Sequence, residues 1–298
     1  MASLREALRG FLKGWRDDLA WSWRQVLRGV APDFDAVRAD LELGDDEIIF
    51  PGRKGRPVPG APPGAHVFRA LDGIRPGAVR VVVLGQDPYP KHQQATGRAF
   101  EQGDLKSWPR DPKRVADSLA RVVQAIAAAG TGDGAYTRND AAWRKVLDDL
   151  EAGTLRLAAP NRLFSRLERQ GVLWLNTGLT LSRFQKGGTP EQLEGHLPLW
   201  RPIIRRILTH LATRSSGQVV FLLWGSPARW VFQEAGVQQA AEAAGTWQQR
   251  VAVAAHAHPA AVISGQPSFF RPPNPIVRAN ELLVRMGGRP IDWSGTAE

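Results

Sequence analysis

Apolar residues fall along this chain in two rhythms. Four short runs, at residues 79–84, 172–175, 219–224 and 251–255, are dense in Val, Leu and Trp and are flanked by turn residues or by helical patterning. Runs of that length and composition predict strands. Between them the spacing of apolar positions predicts helices over 114–129, 141–150, 161–170, 199–211 and 228–235. Residues 1–50 are also expected to be helical and to cap one side of the core, because Trp15, Leu19, Trp23, Val26 and Leu27 recur every three or four positions. Residues 51–64, rich in Pro and Gly and carrying Arg53, Lys54 and Arg56, predict a surface loop.

Strands alternating with helices imply right-handed crossovers and a sheet covered on both faces. The expected fold class is therefore α/β, a three-layer αβα sandwich with a central, mainly parallel four-stranded sheet. The chain of 298 residues fits one domain, with a helical N-terminal extension over about residues 1–22 and a short C-terminal tail over about 288–298. In such a sheet ligands bind beyond the carboxyl ends of the strands. That rule selects Gln86-Asp87-Pro88-Tyr89, Asn176-Thr177, Gly225-Ser226 and His256-Ala257-His258-Pro259 as one rim.

Composition narrows the chemistry. Hydrophobic residues make up 43% and charged residues 23%, which excludes a disordered chain, and no apolar run approaches the roughly 20 residues of a membrane helix. The first 23 residues mix Arg and Lys with Glu6, Asp17 and Asp18, unlike a secretory signal, so a cytoplasmic location is expected. The absence of cysteine removes disulfides, thiolate nucleophiles and Cys-based metal sites. His256 and His258 stand two apart, whereas His66, His92, His196 and His210 are scattered without helical metal-ligand spacing. A net charge of +10 suits a polyanionic partner but does not by itself identify one.

Taken singly, Asp87 before Pro88 reads as a turn residue, Asn176 as a cap, Gly225-Ser226-Pro227 as a helix start and Phe100 as core. Five separated motifs in order change that reading: GQDPYP at 85–90, QQATGRAF at 93–100, GVLWLNTGLTL at 171–181, FLLWGSPA at 221–228 and AHPAAVISGQPSFF at 257–270. With weaker echoes in WRQVL at 23–27, IIFP at 48–51 and HVFRAL at 66–71, the chain resembles the family 1 uracil-DNA glycosylases over roughly residues 23 to 281.

The resemblance implies hydrolysis of the N-glycosidic bond of uracil in DNA, leaving an abasic site, after the nucleotide has been rotated out of the stack. By that resemblance Asp87 directs the attacking water and His258 stabilises the departing uracil anion, assisted by backbone near Gln86. Uracil stacks on Phe100, is read by the Asn176 amide and meets Tyr89 at C5, where thymine would clash. Pro109, Gly225, Ser226 and Ser264 would hold phosphates, Val262 or Ile263 would fill the vacated stack, and Lys106, Arg110, Arg183 and Lys186 would add attraction to the backbone. The expected partner is uracil-containing DNA, single- or double-stranded, with no membrane, no metal and no organic cofactor, and the expected state is a monomer. Two departures stand out: Pro90 replaces the family's His after Tyr, and the loop after His258 is one residue longer, with Ala260 where a Ser is usual. These leave room for a superfamily glycosylase of shifted base preference, such as one for hypoxanthine or damaged pyrimidines. A non-catalytic DNA-binding relative would be a third reading.

Overall fold

The computed structural model describes residues 2–297 other than Lys186 and Ser264. Four strands, β1 (Val81–Gly85), β2 (Val172–Asn176), β3 (Val219–Trp224) and β4 (Val251–His256), form one fully parallel sheet in the order β2-β1-β3-β4. The register aligns Gly85 with Asn176, Leu84 with Leu223 and Trp224 with His256, so the carboxyl ends finish at one level. Every residue of β1, β2 and β3 is buried. A central parallel strand faces protein on both sides, which is why these segments are continuous apolar runs rather than alternating ones.

Nine α-helices occur among the described residues: α1 (Leu4–Phe11), α2 (Trp21–Val26), α3 (Asp117–Thr131), α4 (Trp143–Glu151), α5 (Pro160–Arg169), α6 (Leu197–Thr213), α7 (Ser226–Glu234), α8 (Val237–Ala243) and α9 (Pro275–Arg285). Side chains alternate between two cores. Val82, Leu84, Phe221 and Leu223 pack with α1, α2, α6, α7 and α8. Val81, Val83, Trp174, Leu222 and Trp224 pack with α3, α4, α5 and α9. At about 1.5–3 kcal/mol for each fully buried Val, Leu, Ile or Phe, these layers are the main favourable term of folding. The three-layer expectation holds, with the sheet parallel throughout.

The helical expectation for the N-terminal region is corrected. Residues 2–50 are helical only in α1, α2 and a 3-10 turn at Trp15–Asp18, and residues 28–50 carry no helix. Gly29 at φ +76 and the Asp33 carboxylate, which accepts from the amides of Asp35 and Ala36, set turns there. Leu4, Leu8, Trp15, Leu19 and Trp23 are nevertheless core residues; burial, not continuous helix, produced their spacing. The 51–64 loop lies largely at the surface but is pinned by Arg53, which is buried, ion-paired to Asp18 and bonded to the carbonyls of Phe11 and Lys13. Beyond α9 the chain returns to the core, burying Ile291 and Trp293 and pairing the Ser294 carbonyl with the Ala158 amide at 2.8 Å.

Candidate active site

The rim forms because backbone groups leaving β1 and β2 pair with one another. The Thr177 amide donates to the Gly85 carbonyl at 2.9 Å, and the Gly178 amide to the Gln86 carbonyl at 2.7 Å. The Thr177 hydroxyl also donates to Gln86 at 3.1 Å. This ties down the turn that presents Asp87. A Cβ at Gly178 would lie 2.9 Å from Asp87 Oδ1 and 2.8 Å from Leu197, so glycine is what lets the carboxylate approach. At the far edge Gly225 sits at φ +92, donates to the His256 carbonyl at 2.9 Å and opens α7. A Cβ there would lie 2.9 Å from the Cβ of His258, and few residues other than glycine tolerate that φ.

Asp87 and His258 thereby line one cavity of about 230 Å³ together with Gly85, Gln86, Tyr89, Phe100 and Asn176, and Pro90 and Phe184 lie at its edge. Phe100 forms an aromatic floor, with its ring centroid 5.4 Å from Trp224, 6.3 Å from Trp174 and 6.1 Å from His258. Its backbone is held at φ +62, a conformation a non-glycine residue keeps only when its surroundings enforce it. Here the Tyr89 hydroxyl donates to the Phe100 carbonyl at 3.3 Å and the Ala99 amide to Trp174 at 3.1 Å. Asn176, at 2% exposure, makes no side-chain hydrogen bond among the described residues, so both its donor and its acceptor are unspent. A larger depression of about 670 Å³ around Trp21, Arg75, Arg206 and His210 lies toward the amino ends of the strands and has no carboxylate in its lining.

The two titratable groups are tuned by burial. Burial pushes the Asp87 carboxyl up to about 6, against the downward pull of hydrogen bonds from Gln192 and Gln86. Gln192 Nε2 donates to Asp87 Oδ2, while Oδ1 is sealed from solvent without a partner among the described residues. Burial, and then the positive charge of Arg121, lower the His258 pKa. Its Nδ1 accepts from the Ala260 amide at 3.0 Å, which places the proton of the neutral ring on Nε2. Arg121 is itself buried, donates to the Pro259 carbonyl at 2.9 Å and grips Asp140 with two bonds of 2.8 Å. Burial also raises the Tyr89 phenol, which pairs with Ser118 at 3.1 Å. Among the described residues no three His, Asp or Glu side chains group as metal ligands would.

This arrangement belongs to a chain that is 32% identical over 284 residues to the uracil-DNA glycosylase of Bordetella pertussis, covering 92% of this chain and 86% of that protein. The chain belongs to the uracil-DNA glycosylase family. A uracil-DNA glycosylase of Nocardioides sp. is 30% identical, with 93% of each chain covered. The fold matches the wild-type UNG crystal structure from Nitratifractor salsuginis with a TM-score of 0.57 at 22% identity, covering 97% of this chain and 96% of the other. No family model matches the chain.

The residues expected around the base, Gln86, Asp87, Tyr89, Phe100, Asn176 and His258, are brought together on one cavity. Ser226 is exposed at the start of α7, next to Gly225. Val262 and Ile263, 53% and 49% exposed, sit in a two-residue ladder paired with Gln266–Pro267, a few residues beyond His258. Pro109 lies apart from the cavity lining, and its carbonyl accepts from Trp143 Nε1 at 3.0 Å. Ser264 and Lys186 fall outside the described residues. Two expected phosphate-facing cations are already engaged: Arg183 pairs with Glu47 and Glu191, and Arg110 with Asp148 and Glu151. Sequence reading missed Gln192 and Arg121, which reach the site from 105 residues beyond Asp87 and 138 residues before Pro259. Neither lies in a recognised motif; Arg121 is a charged residue in the otherwise apolar run 119–123, whereas Gln192 stands between Glu191 and Glu194 with nothing local to mark it.

Proposed function

We propose that this cavity removes uracil from DNA by hydrolysing its N-glycosidic bond, with Asp87 and His258 acting from opposite sides of the base. The observation that carries this reading is their placement on one cavity over the Phe100 ring, with the unspent Asn176 amide at its end. Sites for drug-sized ligands occupy about 300–1,000 Å³; a cavity of about 230 Å³ suits a single flipped base. Asn176 can donate to one polar group of the uracil edge and accept from its neighbour. Cytosine presents the opposite donor and acceptor there, and would leave buried groups unpaired. Tyr89, fixed by its hydroxyl bonds to Phe100 and Ser118, closes the side on which thymine carries its methyl group.

Bond cleavage builds positive charge on the sugar and negative charge on uracil. The Asp87 carboxylate stabilises the first and orients the attacking water. His258, neutral with its proton on Nε2, donates to the uracil oxygen that gains charge. Val262 and Ile263, exposed beside the site, would fill the stack that the base leaves, and Ser226 would hold a flanking phosphate. Ser226 and its neighbours stand at a helix N-terminus, which favours an anion.

The test is excision from oligonucleotides carrying uracil, thymine, hypoxanthine or a 5-substituted uracil, with uracil presented in single strands and opposite A or G, all in EDTA. The reading expects abasic sites at uracil without strand cleavage. Hypoxanthine released faster than uracil would replace it with a shifted base preference, for which Pro90 at the cavity edge is the motivating departure.

A further inference from the structure

Asp87 is held by a segment that none of the five motifs contains. Between β2 and α6 the chain makes a π turn at Gln192–His196 that runs directly into the helix. Isolated π turns are rare and concentrate at functional sites. This one directs Gln192 inward: the residue is 1% exposed, its Nε2 donates to Asp87 Oδ2, and its Oε1 has no partner among the described residues.

The turn itself is anchored. His196 is fully buried with Thr180 Oγ1 2.9 Å from Nδ1 and Ser182 Oγ 2.9 Å from Nε2, and Thr180 Oγ1 also accepts from Trp200 Nε1 at 2.8 Å. Burial drives the His196 pKa down to about 3, so the anchor stays neutral at working pH. The Gln192 amide donates to Thr189 Oγ1 at 3.2 Å. Gln192 therefore reaches Asp87 from a rigid base, whereas Pro90, at the cavity edge, carries neither an amide proton nor a side-chain donor.

We propose that Gln192 is the positioning residue of Asp87: its amide immobilises Oδ2 and leaves Oδ1, over Gly178, as the oxygen that meets the attacking water. The proposal rests on the reading of Asp87 as the water-directing carboxylate. A carboxylate has two equivalent oxygens and rotates freely unless one is fixed; a single buried donor selects one face and stabilises the anion against its burial. The other titratable groups around Asp87 do neither. Tyr89 is bonded to Phe100 and Ser118, His258 holds the Ala260 amide, and Glu191, beside Gln192 on the chain, pairs with Arg183 at 3.2 Å.

The experiment measures kcat and KM on a uracil-containing single-stranded oligonucleotide from about pH 5 to about pH 9 for the wild type, Gln192→Leu, the isosteric Gln192→Glu and Asp87→Asn. Loss of the donor is expected to lower kcat at neutral pH by roughly tenfold or more with little change in KM. It should also move the acidic limb of the profile upward by roughly one pH unit in Gln192→Leu, and further in Gln192→Glu, where two carboxylates compete for one proton. An Asp87→Asn variant without activity, beside Gln192 variants whose limb stays at the wild-type position, would overturn the positioning role while leaving the Asp87 reading intact. A fully active Asp87→Asn would remove both. Gln192→Glu keeps the volume of the native side chain, so a folding failure of Gln192→Leu does not decide the question.

Discussion

Replacing Asp87 by Asn should abolish uracil excision and at the same time make the protein more stable above neutral pH. The folded protein holds this carboxyl at about 6 against an ordinary value of 3.8, chiefly because the site desolvates the anion. The folded state thus binds the proton more tightly than the unfolded chain. The resulting penalty is absent below about pH 4, grows as pH rises between the two values and is constant above about pH 7. At about 1.4 kcal/mol per tenfold change in proton affinity, the displacement amounts to at most about 3 kcal/mol. Asn is neutral at every pH and can offer Gln192 an acceptor oxygen in place of Oδ2, so it escapes the penalty and keeps the bond. For a chain of this size about 2 °C of Tm accompanies each kcal/mol, which predicts a gain of about 5 °C near pH 8 and almost none near pH 4. Thermal unfolding of both proteins across that range reads it directly. A stability difference that does not change with pH, or a wild type that is the more stable protein at pH 8, would refute the argument that burial of the Asp87 anion is a cost the fold carries for catalysis.

Three further outcomes follow from the same geometry. Asn176→Asp exchanges the side-chain donor for an acceptor and should release measurable cytosine from an oligonucleotide, whereas no cytosine release beside unchanged uracil excision would place base recognition elsewhere. Tyr89→Ala opens the side of the cavity that the phenol closes, so thymine excision should become detectable by abasic-site cleavage, and an unchanged preference would show that another group is the gate. Gly225→Ala puts a Cβ 2.9 Å from that of His258 at φ +92; it should cost about 1–3 kcal/mol in thermal or denaturant unfolding and reduce kcat as the imidazole is displaced. An unaltered kcat would mean that this turn does not position His258.

The sheet and the rim were legible in the sequence for a physical reason. Strands buried on both faces must be apolar throughout, so Val172 to Leu175 and Val219 to Trp224 stand out as runs, and their carboxyl ends point to Asn176 and Gly225 without any tertiary information. The N-terminal region was less legible. Trp15, Leu19, Trp23 and Val26 are buried, but a spacing of three or four also arises when short turns and helices pack successively on one surface. The ion pairs were hidden for a different reason: the partners of Arg183 and Arg110 lie up to 136 and 41 residues away, and no local pattern reveals an ion pair closed by the fold.

A contrast in hydrogen-bond saturation links fold and site. Away from the cavity, buried polar side chains are largely spent on one another: Arg98 pairs with Glu101 and Glu168, and His196 with two hydroxyls. The buried atoms there that lack partners, on Arg98, Arg214, Arg250, Gln124, Glu191 and His256, belong to side chains bonded through another atom. Several further atoms without partners lie at or behind the cavity. Asp87 Oδ1, Gln192 Oε1 and the indole nitrogens of Trp174 and Trp224, whose rings surround Phe100, have no partner among the described residues, and the Asn176 amide is equally unspent. A fold ordinarily satisfies buried polar atoms because each orphan costs about 1–3 kcal/mol. Asp87 Oδ1 and the Asn176 amide, on two residues that line the cavity, are therefore better explained as groups held ready for a base and a water than as defects of packing. Gln192 reaches that cavity through Asp87, which makes it a group that holds the carboxylate rather than one that meets the base, although no motif contains it.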